Sequence, residues 1–303
     1  MENKLSQTIK RNCLDEFDFP LIEKRWFYRV AQYWVPIEHM YDVDPNREVL
    51  RSLSIKGVDL FTFIQRNFLN PATKKKYKLL SCSESIGLLH IKSYDDWFKS
   101  LGSRGRFVRQ SERNGLKTEI VNIDKNFIKS ALAIYNETPV RQGRKYSGYG
   151  LTLYEVEKKF SRMNASEVLG AYLYNELIGL ILVEYGDRVA SLKSFLSLIG
   201  HRDKNPNSAL MAATVKRCYE KGYTFLTYGN MGYNPGLDYF KHSNGFRIFF
   251  VPRYYLPLST KGKLAIRLGV HRPLEHFFSP TIARALVPFY NKLTKFNPVS
   301  SNN

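Results

Sequence analysis

The stretch GAYLYNELIGLILVEYG (residues 170–186) contains two apolar runs on either side of Asn175-Glu176. Apolar runs of this length around a polar turn predict two paired β-strands. RVASLKSFLSLIG (residues 188–200) follows after a short gap and predicts a third strand. The centre of the chain is therefore expected to form three successive antiparallel strands.

One helix and one strand are predicted beyond this segment. SALMAATVKRCYEKG (residues 208–222) has the apolar spacing of a helix, with Asn205 or Asn207 as its N-cap. TFLTYG (residues 224–229) predicts the next strand. A glycine-rich loop then leads to a last strand within FKHSNGFRIFFVPRYYLPL (residues 240–258).

Upstream of the hairpin, the same patterns predict shorter elements. They are an amphipathic helix at 59–68, two strands around the turn SESIG within 74–91, two helices within 94–116, a strand at 117–123 and a helix at 124–138 that begins at Asp124. Antiparallel strands come first and one helical crossover comes late. This order fits a mixed α/β or α+β layer rather than repeated βαβ winding.

Three segments carry a resemblance to a known family. They are WFKSLGSRGRFVRQSERNGLKTEIV (97–121), GAYLYNELIGLILVEYGD (170–187), and HRDKNPNSALMAATVKRCYEKGYTFLTYGNM (201–231) followed by LDYFKHSNGF (237–246). In this order they resemble the GNAT acyltransferase superfamily, and within it the Fem-like branch of peptidoglycan-bridge aminoacyl transferases and their uncharacterised relatives. The resemblance covers roughly residues 90–258.

The resemblance implies a fold and a division of the chain. The fold class is mixed α/β, α+β-like: a GNAT fold with a central, mostly antiparallel sheet flanked by helices. Residues 93–258 would form the acyltransferase core, and 259–303 a basic helical tail. Residues 1–92 are either an N-terminal extension or a degenerate second GNAT-like half.

The loop after the predicted helix at 124–138 is dense in functional side chains. The resemblance implies that it binds the acceptor, with Glu137 as the base that acyl transfer to an amine requires. The alternative is a solvated basic loop in which Glu137 pairs with an arginine. The substrate-binding candidates are Thr138, Arg141, Gln142, Arg144, Tyr146 and Asn230.

The strand that ends at Tyr228 suggests the reaction centre. In GNAT folds a pair of neighbouring strands separates at this place, and the resemblance implies that Tyr228 protonates the leaving group while backbone N–H groups near Leu198 and Ile199 bind the oxyanion. The alternative is a tyrosine that packs at a sheet edge. The stretch Asn234-Pro235-Gly236, with Tyr239, Lys241 and His242, is interpreted as a turn rather than a lid.

The polar segment before residue 208 is the candidate donor site. In ordinary GNAT enzymes a glycine-rich loop here binds the coenzyme A pyrophosphate, but this chain has no such glycines and Pro206 lacks an N–H. The candidate phosphate-binding residues are His201, Arg202, Lys204, Asn205, Asn207 and Ser208. The alternative is a helix-capping loop. The implied co-substrate is acyl-CoA or another acyl carrier, namely acyl carrier protein or aminoacyl-tRNA.

Composition restricts the partners. Lys and Arg number 46 against 27 Asp and Glu, a formal charge of +19, which favours anionic partners. The 44% hydrophobic content excludes a disordered chain. Cys13, Cys82 and Cys218 are widely spaced, and the histidines form no ligand pattern, so neither disulfides nor a metal site are expected. No apolar run is long enough to span a membrane.

These observations predict a cytoplasmic N-acyltransferase. It would move an acyl or aminoacyl group from a phosphate-bearing carrier to a small-molecule or cell-envelope amine, without a specific DNA partner. The alternative is a non-catalytic basic protein that binds nucleic acid or an anionic membrane. Basic residues interleave with apolar ones in 259–303. That pattern leaves open peripheral contact with the inner face of the cell membrane, or packing of the tail on the domain.

Overall fold

The computed structural model describes residues 21–32, 47–64, 80–141, 144–146, 148–161, 166–186, 189–232 and 234–271. The helices within these ranges are α1 (Arg47–Ile55), α2 (Tyr94–Ser100), α3 (Gly105–Arg113), α4 (Lys125–Asn136), α5 (Leu153–Ser161), α6 (Pro206–Glu220), α7 (Pro235–Ser243) and α8 (Thr260–Arg267). The strands are β1 (Leu21–Arg25), β2 (Tyr28–Gln32), β3 (Leu60–Ile64), β4 (Leu80–His90), β5 (Lys117–Ile120), β6 (Val140–Arg141), β7 (Arg144–Lys145), β8 (Ser166–Leu173), β9 (Glu176–Tyr185), β10 (Val189–Ser197), β11 (Phe225–Asn230) and β12 (Arg247–Pro257).

The chain forms two compact units. Of the described residues, those in 21–83 and 251–271 form the first unit, and those in 84–250 form the second unit. In the second unit the strand order is β4-β11-β10-β9-β8-β5. The β10–β11 pair is parallel and the other pairs are antiparallel. This mostly antiparallel sheet confirms the predicted fold class.

The predicted hairpin is confirmed, but its turn lies one residue before the predicted Asn175-Glu176, because Glu176 already belongs to β9. Tyr174 and Asn175 connect β8 to β9, and both have positive φ, 49° and 69°. A two-residue turn with positive φ at both positions matches the twist of the paired strands. The third predicted strand is β10, which pairs antiparallel with β9.

Helices cover both faces of this sheet. One face packs against α2, α3 and α6 through a cluster that includes Trp97, Val108 and Leu210. The other face packs against α4 and α5, with Phe127 and Phe160 in the cluster. The Asp124 side chain accepts the N–H of Phe127 at 2.8 Å, which confirms it as the N-cap of α4.

In its described residues, the first unit is a smaller sheet with two helices. Its strand order is β1-β2-β3-β12, with β2–β3 parallel and β3–β12 antiparallel. The alternate side chains of β3 divide between two cores. Phe61 and Phe63 pack with Leu53 of α1, and Leu60 packs with Ala265 of α8.

Three sequence predictions are wrong. Residues 60–64 of the predicted helix at 59–68 are strand β3, because ladders with β2 and β12 outweigh the local periodicity; residues 65–68 lie outside the described ranges. SESIG is not a turn, since it lies inside β4, whose described part starts at Leu80. The glycine-rich loop after β11 contains helix α7.

Two further predictions, the helical C-terminal tail and the domain boundaries, remain predictions. Of the helical tail, the structure describes α8, and the remainder from residue 272 lies outside the described ranges. The division at residues 92 and 258 stays a prediction. In the portion of the chain that the structure describes, no helix is long and apolar enough to cross a membrane.

Candidate active site

Strands β10 and β11 separate near their ends. Their parallel register has three pairs and ends at Ser191↔Thr227, although β10 continues to Ser197 and β11 to Asn230. On its other side, β11 pairs with β4 through an irregularity between Thr227 and Asn230. The last residues of β11 therefore do not pair with β10. This is the separation of strands that the resemblance implied.

Aromatic rings occupy this gap. The Tyr228 ring lies 5.9 Å from Phe195 and 6.0 Å from Phe246, and Phe195 lies 5.6 Å from Phe240. Burial raises the pKa of the Tyr228 hydroxyl, so this group is protonated at neutral pH and holds its proton more firmly than an exposed tyrosine does. The alternative of a tyrosine at a sheet edge is wrong, because β11 lies between β4 and β10, and Tyr228 stands beside the gap inside the sheet.

A buried amine adjoins Tyr228. Lys241 is 1% exposed, and its Nζ donates to the carbonyl oxygen of Asn230 at 2.6 Å. The same Nζ lies 4.6 Å from the centre of the Tyr228 ring. Burial lowers the pKa of the Lys241 ammonium to about 8, against an opposing effect of Asp238. At neutral pH the group is therefore mostly a cation, held where the two strands separate.

Sequence reasoning missed Lys241, although a signal was present. The Asn234 side chain accepts the N–H of Leu237 at 3.4 Å, Pro235 occupies the first helical position, and the Asp238 carboxylate accepts the Asn234 N–H at 2.9 Å. An asparagine N-cap followed by proline is a helix start signal. Interpreted as the start of a helix, NPGLDYFK would have predicted α7, the helix that carries Lys241.

Glu137 and Arg141 form the second group of the site. Glu137 Oε1 accepts the N–H of Ile199 and, at 3.4 Å, that of Gly200, and its Oε2 lies 3.0 Å from Arg141 Nη2. Arg141 also donates to the carbonyl oxygen of Ser197 at 2.9 Å. The pair joins the end of α4 to the chain that leaves β10. The arginine pairing considered as the alternative for Glu137 is present.

This arrangement uses the amides predicted to bind an oxyanion. The N–H of Leu198 donates to Ile178 O at 2.8 Å, and that of Ile199 donates to Glu137. Both amides are therefore engaged within the chain. Of the groups described near the gap, Lys241 and Tyr228 are the other side-chain donors: Lys241 is buried and Tyr228 half-buried, and the Lys241 ammonium has further N–H groups besides the one that it gives to Asn230 O.

The other predicted acceptor residues have varied surroundings. The Thr138 hydroxyl bonds the backbone of Val140, and Tyr146 lies under Arg141 at 5.3 Å and stacks on Tyr135. Gln142 and the side chain of Arg144 lie outside the described residues. Asn230 contributes its carbonyl oxygen to Lys241.

The predicted donor residues come together at the start of α6. His201, Arg202 and Lys204 lie in a 3₁₀ turn, Ile199–Lys204. Asn205, at φ 62°, precedes α6, and its side chain donates to Asp203 O instead of capping the helix. The structure thus gives Asn205, rather than Asn207, the N-cap position.

The two cations Lys204 and Arg202 of this loop differ in their surroundings. Lys204 Nζ lies 2.8 Å from Asp203, which partly neutralises it, whereas Arg202 is exposed. Asn207 and Ser208 lie in the first turn of α6, and the Ser208 N–H donates to Asn205 O at 3.1 Å. Among the described residues, no group of three or more His, Cys, Asp or Glu is placed to hold a metal ion.

The architecture defines a class of fold. No protein-family model and no curated protein matches the sequence. Solved structures that match it include FemX and lysylphosphatidylglycerol synthetase domains, and the chain shares their GNAT-like mixed α/β fold, with a large, mostly antiparallel sheet flanked by helices.

Three of the matching structures illustrate this similarity of fold. FemX matches at a TM-score of 0.51 with 14% identity, over 77% of this chain and 83% of FemX. The C-terminal domain of a proposed lysylphosphatidylglycerol synthetase from Agrobacterium fabrum matches at 0.55 with 11% identity, over 82% and 83%. L-PGS from Bacillus licheniformis matches at 0.53 with 15% identity, over 77% and 79%. At these identities the similarity concerns the fold.

Proposed function

We propose that the chain is an N-acyltransferase that moves an acyl or aminoacyl group from an anionic carrier to an amine. The observation that carries this proposal is the buried Lys241 ammonium beside Tyr228, at the point where β10 and β11 separate. A protein that only binds an anionic surface has no use for a buried cation, whose desolvation is costly. An acyl transferase has a use for such a cation, because negative charge develops on the carbonyl oxygen during the reaction.

The chemistry assigns a role to each group. The amine attacks the donor carbonyl, a C–N bond forms, and the C–O or C–S bond to the carrier breaks. Lys241 stabilises the oxyanion. Tyr228, protonated at neutral pH, gives its proton to the leaving oxygen or sulfur and regains one from the proton that the amine loses.

Glu137 and Arg141 belong to the acceptor side in this proposal. Both Glu137 oxygens accept hydrogen bonds, so Glu137 positions the loop after β10. It becomes a base when the incoming ammonium displaces Arg141. Arg141 is then available to a carboxylate or phosphate of the acceptor. Thr138, Gln142, Arg144, Tyr146 and Asn230 remain proposed contacts.

The carrier is proposed to bind through side-chain cations. Glu137 already engages the amides of Ile199 and Gly200, which disfavours a pyrophosphate cradled by the loop backbone. Arg202 is exposed nearby. A second cation, Arg104, lies in the turn before helix α3. Its guanidinium group is 4.6 Å from the centre of the Tyr239 ring. A large anionic carrier therefore fits better than a bare pyrophosphate.

The acyl group is proposed to be an aminoacyl group. One neighbour is named for the synthesis of lysylphosphatidylglycerol, a product that carries a lysyl group. The resemblance to peptidoglycan-bridge transferases agrees with this. Acyl carrier protein and coenzyme A are the competing carriers.

The test is transfer of label to a panel of amines. Aminoacyl-tRNA, acyl carrier protein and acetyl-CoA are each supplied as labelled donor, and mass spectrometry identifies carriers that co-purify. Lys241→Met is expected to abolish transfer, and Lys216→Met, at an exposed position of α6, to leave it unchanged. No transfer from any donor, or full transfer by Lys241→Met, would refute the proposal.

A further inference from the structure

Strand β5 forms one edge of the sheet in the second unit. It pairs with β8 and is the last strand in the sheet order, so in the described part of the chain no strand lies on its other side. Its residues Lys117, Thr118, Glu119 and Ile120 are all exposed, Ile120 to 49%. An open strand edge presents N–H and C=O groups to which another strand can pair.

The hydrogen bonds to β8 determine which backbone groups of β5 point outward. The N–H of Val121, one residue beyond β5 and in the same register, donates to Val168 O at 2.8 Å. In an antiparallel strand the backbone groups of successive residues point alternately to one side and to the other. Those of Glu119 therefore face β8, and those of Thr118 and Ile120 face away from the sheet.

The two charged side chains of β5 lie on one face of the sheet. Side chains alternate between the two faces along a strand, so Lys117 and Glu119 share a face with Val121. Val121 packs with the cluster beneath α4 and α5, which identifies this face. Within the described ranges neither Lys117 nor Glu119 takes part in an ion pair. An opposite pair of charges is thus available at the open edge.

We propose that β5 pairs antiparallel with β5 of a second copy of this chain, about a twofold axis at Thr118. In this register Lys117 of each copy lies opposite Glu119 of the other copy. The outward N–H and C=O groups of Thr118 pair with the same groups of the second copy. Opposite charges directly across an antiparallel pair stabilise it, and like charges destabilise it. The edge is therefore self-complementary, as a twofold interface requires.

The charges select both the register and the partner. An axis at Lys117 or at Glu119 brings like charges together. An axis at Ile120 places Lys117 opposite Ile123 and Glu119 opposite Val121, so that neither charge is paired. Charged residues on an edge strand often prevent pairing, and here they permit it only with a strand that carries the same two charges in reverse order. The same strand from a second copy, running antiparallel, supplies that order.

The test is sedimentation equilibrium of the full chain, which needs no catalytic turnover and so is independent of the proposed function. Two strands of four residues bury less surface than a tight dimer does, so we expect a dissociation constant of roughly 100 µM. The formal charge of +19 on each copy opposes association. The salt concentration is therefore kept at about 0.15 M, where repulsion beyond about 8 Å is screened. A chain that stays monomeric at about 1 mM would overturn the proposal.

Charge reversal tests the register. Lys117→Glu and Glu119→Lys each place like charges opposite one another, and each should weaken the dimer roughly ten-fold or more. An equimolar mixture of the two variants has opposite charges at both pairs, so its heterodimer should form about as well as the wild-type dimer. Glu157→Lys, which makes the same change of net charge at an exposed position of α5, is the control for Glu119→Lys. Undiminished dimers of the single variants, or a mixture that associates no better than its components, would overturn the proposal.

Thr118→Pro tests the backbone pairing. Proline lacks the outward N–H but is tolerated on the open side of an edge strand, so the dimer should be lost while the fold is retained, as thermal unfolding verifies. Thr118→Val keeps the N–H and is the matched control. An undiminished dimer of Thr118→Pro would overturn the proposal. So would slow hydrogen exchange of the Thr118 and Ile120 amides in the monomer, because another segment of the same chain would then cover the edge.

Discussion

Glu137 Oε2 lies 3.0 Å from Arg141 Nη2 while its Oε1 accepts the amide N–H of Ile199. One carboxylate thus holds an arginine of the proposed acceptor side and the backbone where the donor loop begins. A change at Glu137 is therefore expected to affect both stability and transfer.

Glu137→Gln tests this relationship. Glutamine keeps one acceptor oxygen but replaces the other with an amide that cannot accept from Arg141. We expect the free energy of unfolding to fall by about 1–3 kcal/mol and transfer to be lost while the native fold is retained. Urea unfolding and the labelled-donor assay measure the two effects. Glu157→Gln, on the exposed side of α5, is the control, and wild-type turnover by Glu137→Gln would refute the assignment of the acceptor side.

The buried Lys241 predicts a pH dependence of stability. Burial lowers the pKa of its ammonium from an ordinary value near 10.5 to about 8. Between these values the unfolded chain holds a proton that the folded chain lacks, so unfolding takes up a proton and becomes less favourable as the pH rises. The wild type should therefore gain stability relative to Lys241→Met from pH 8 to 10.5, as urea unfolding can measure. Parallel profiles would contradict the burial of a titrating amine.

The same titration predicts the pH dependence of transfer. Because Lys241 is proposed to act as a cation, the rate should fall as the pH rises through about 8. The rate is measured with a donor whose spontaneous hydrolysis is followed in parallel without enzyme. A rate that keeps rising well above that pH would contradict the proposed oxyanion role.

Glu167 predicts sensitivity to acid. It accepts hydrogen bonds from Arg217, Tyr185 and Lys221, and the bonds from Arg217 contribute most to lowering the pKa of its carboxyl to about 2. This stabilisation is complete above the ordinary pKa near 4.5 and is lost as the pH falls toward 2. Glu167→Gln should therefore be less stable than wild type at pH 6, and the difference should narrow at pH 3. An equal difference at both values would show that the ionised carboxylate is not involved.

Gly262→Ala tests the packing of α8. The added Cβ would meet Asp59 O at 1.9 Å, so the helix must shift, at a cost of about 1–3 kcal/mol. A lower melting temperature in thermal unfolding is the expected result. Gly236→Ala is the matched control, because its Cβ would meet Asn234 Oδ1 at 3.8 Å. Equal melting temperatures for the two variants would disprove the close approach.

Local patterns predicted the features of the fold that local forces determine. The hairpin between β8 and β9, whose turn lies one residue before the predicted position, and the Asp124 cap both depend on residues near in sequence. The strand at Leu60–Ile64 was mistaken for a helix because its ladder partners come from distant segments. The Glu137–Ile199 bond and the position of Lys241 beside Tyr228 likewise depend on tertiary packing.

The first unit is built from segments that are far apart in the sequence, and this affects how the chain folds during its synthesis. Strand β3 finds its neighbour in β12, and the hydroxyl of Thr62 donates to Tyr254 O across 192 positions of sequence. A nascent chain that has emerged only to residue 250 already contains the described strands and helices of the second unit, but β3 still lacks an edge partner. We therefore expect the second unit to fold first on the ribosome, while the hydrophobic strand β3 stays unpaired on the side of β12. Contacts between segments this distant in sequence form slowly. In that interval Phe61 and Phe63 would be exposed to chaperones, and mutations that weaken β12 should reduce the yield of folded protein more than its stability once folded.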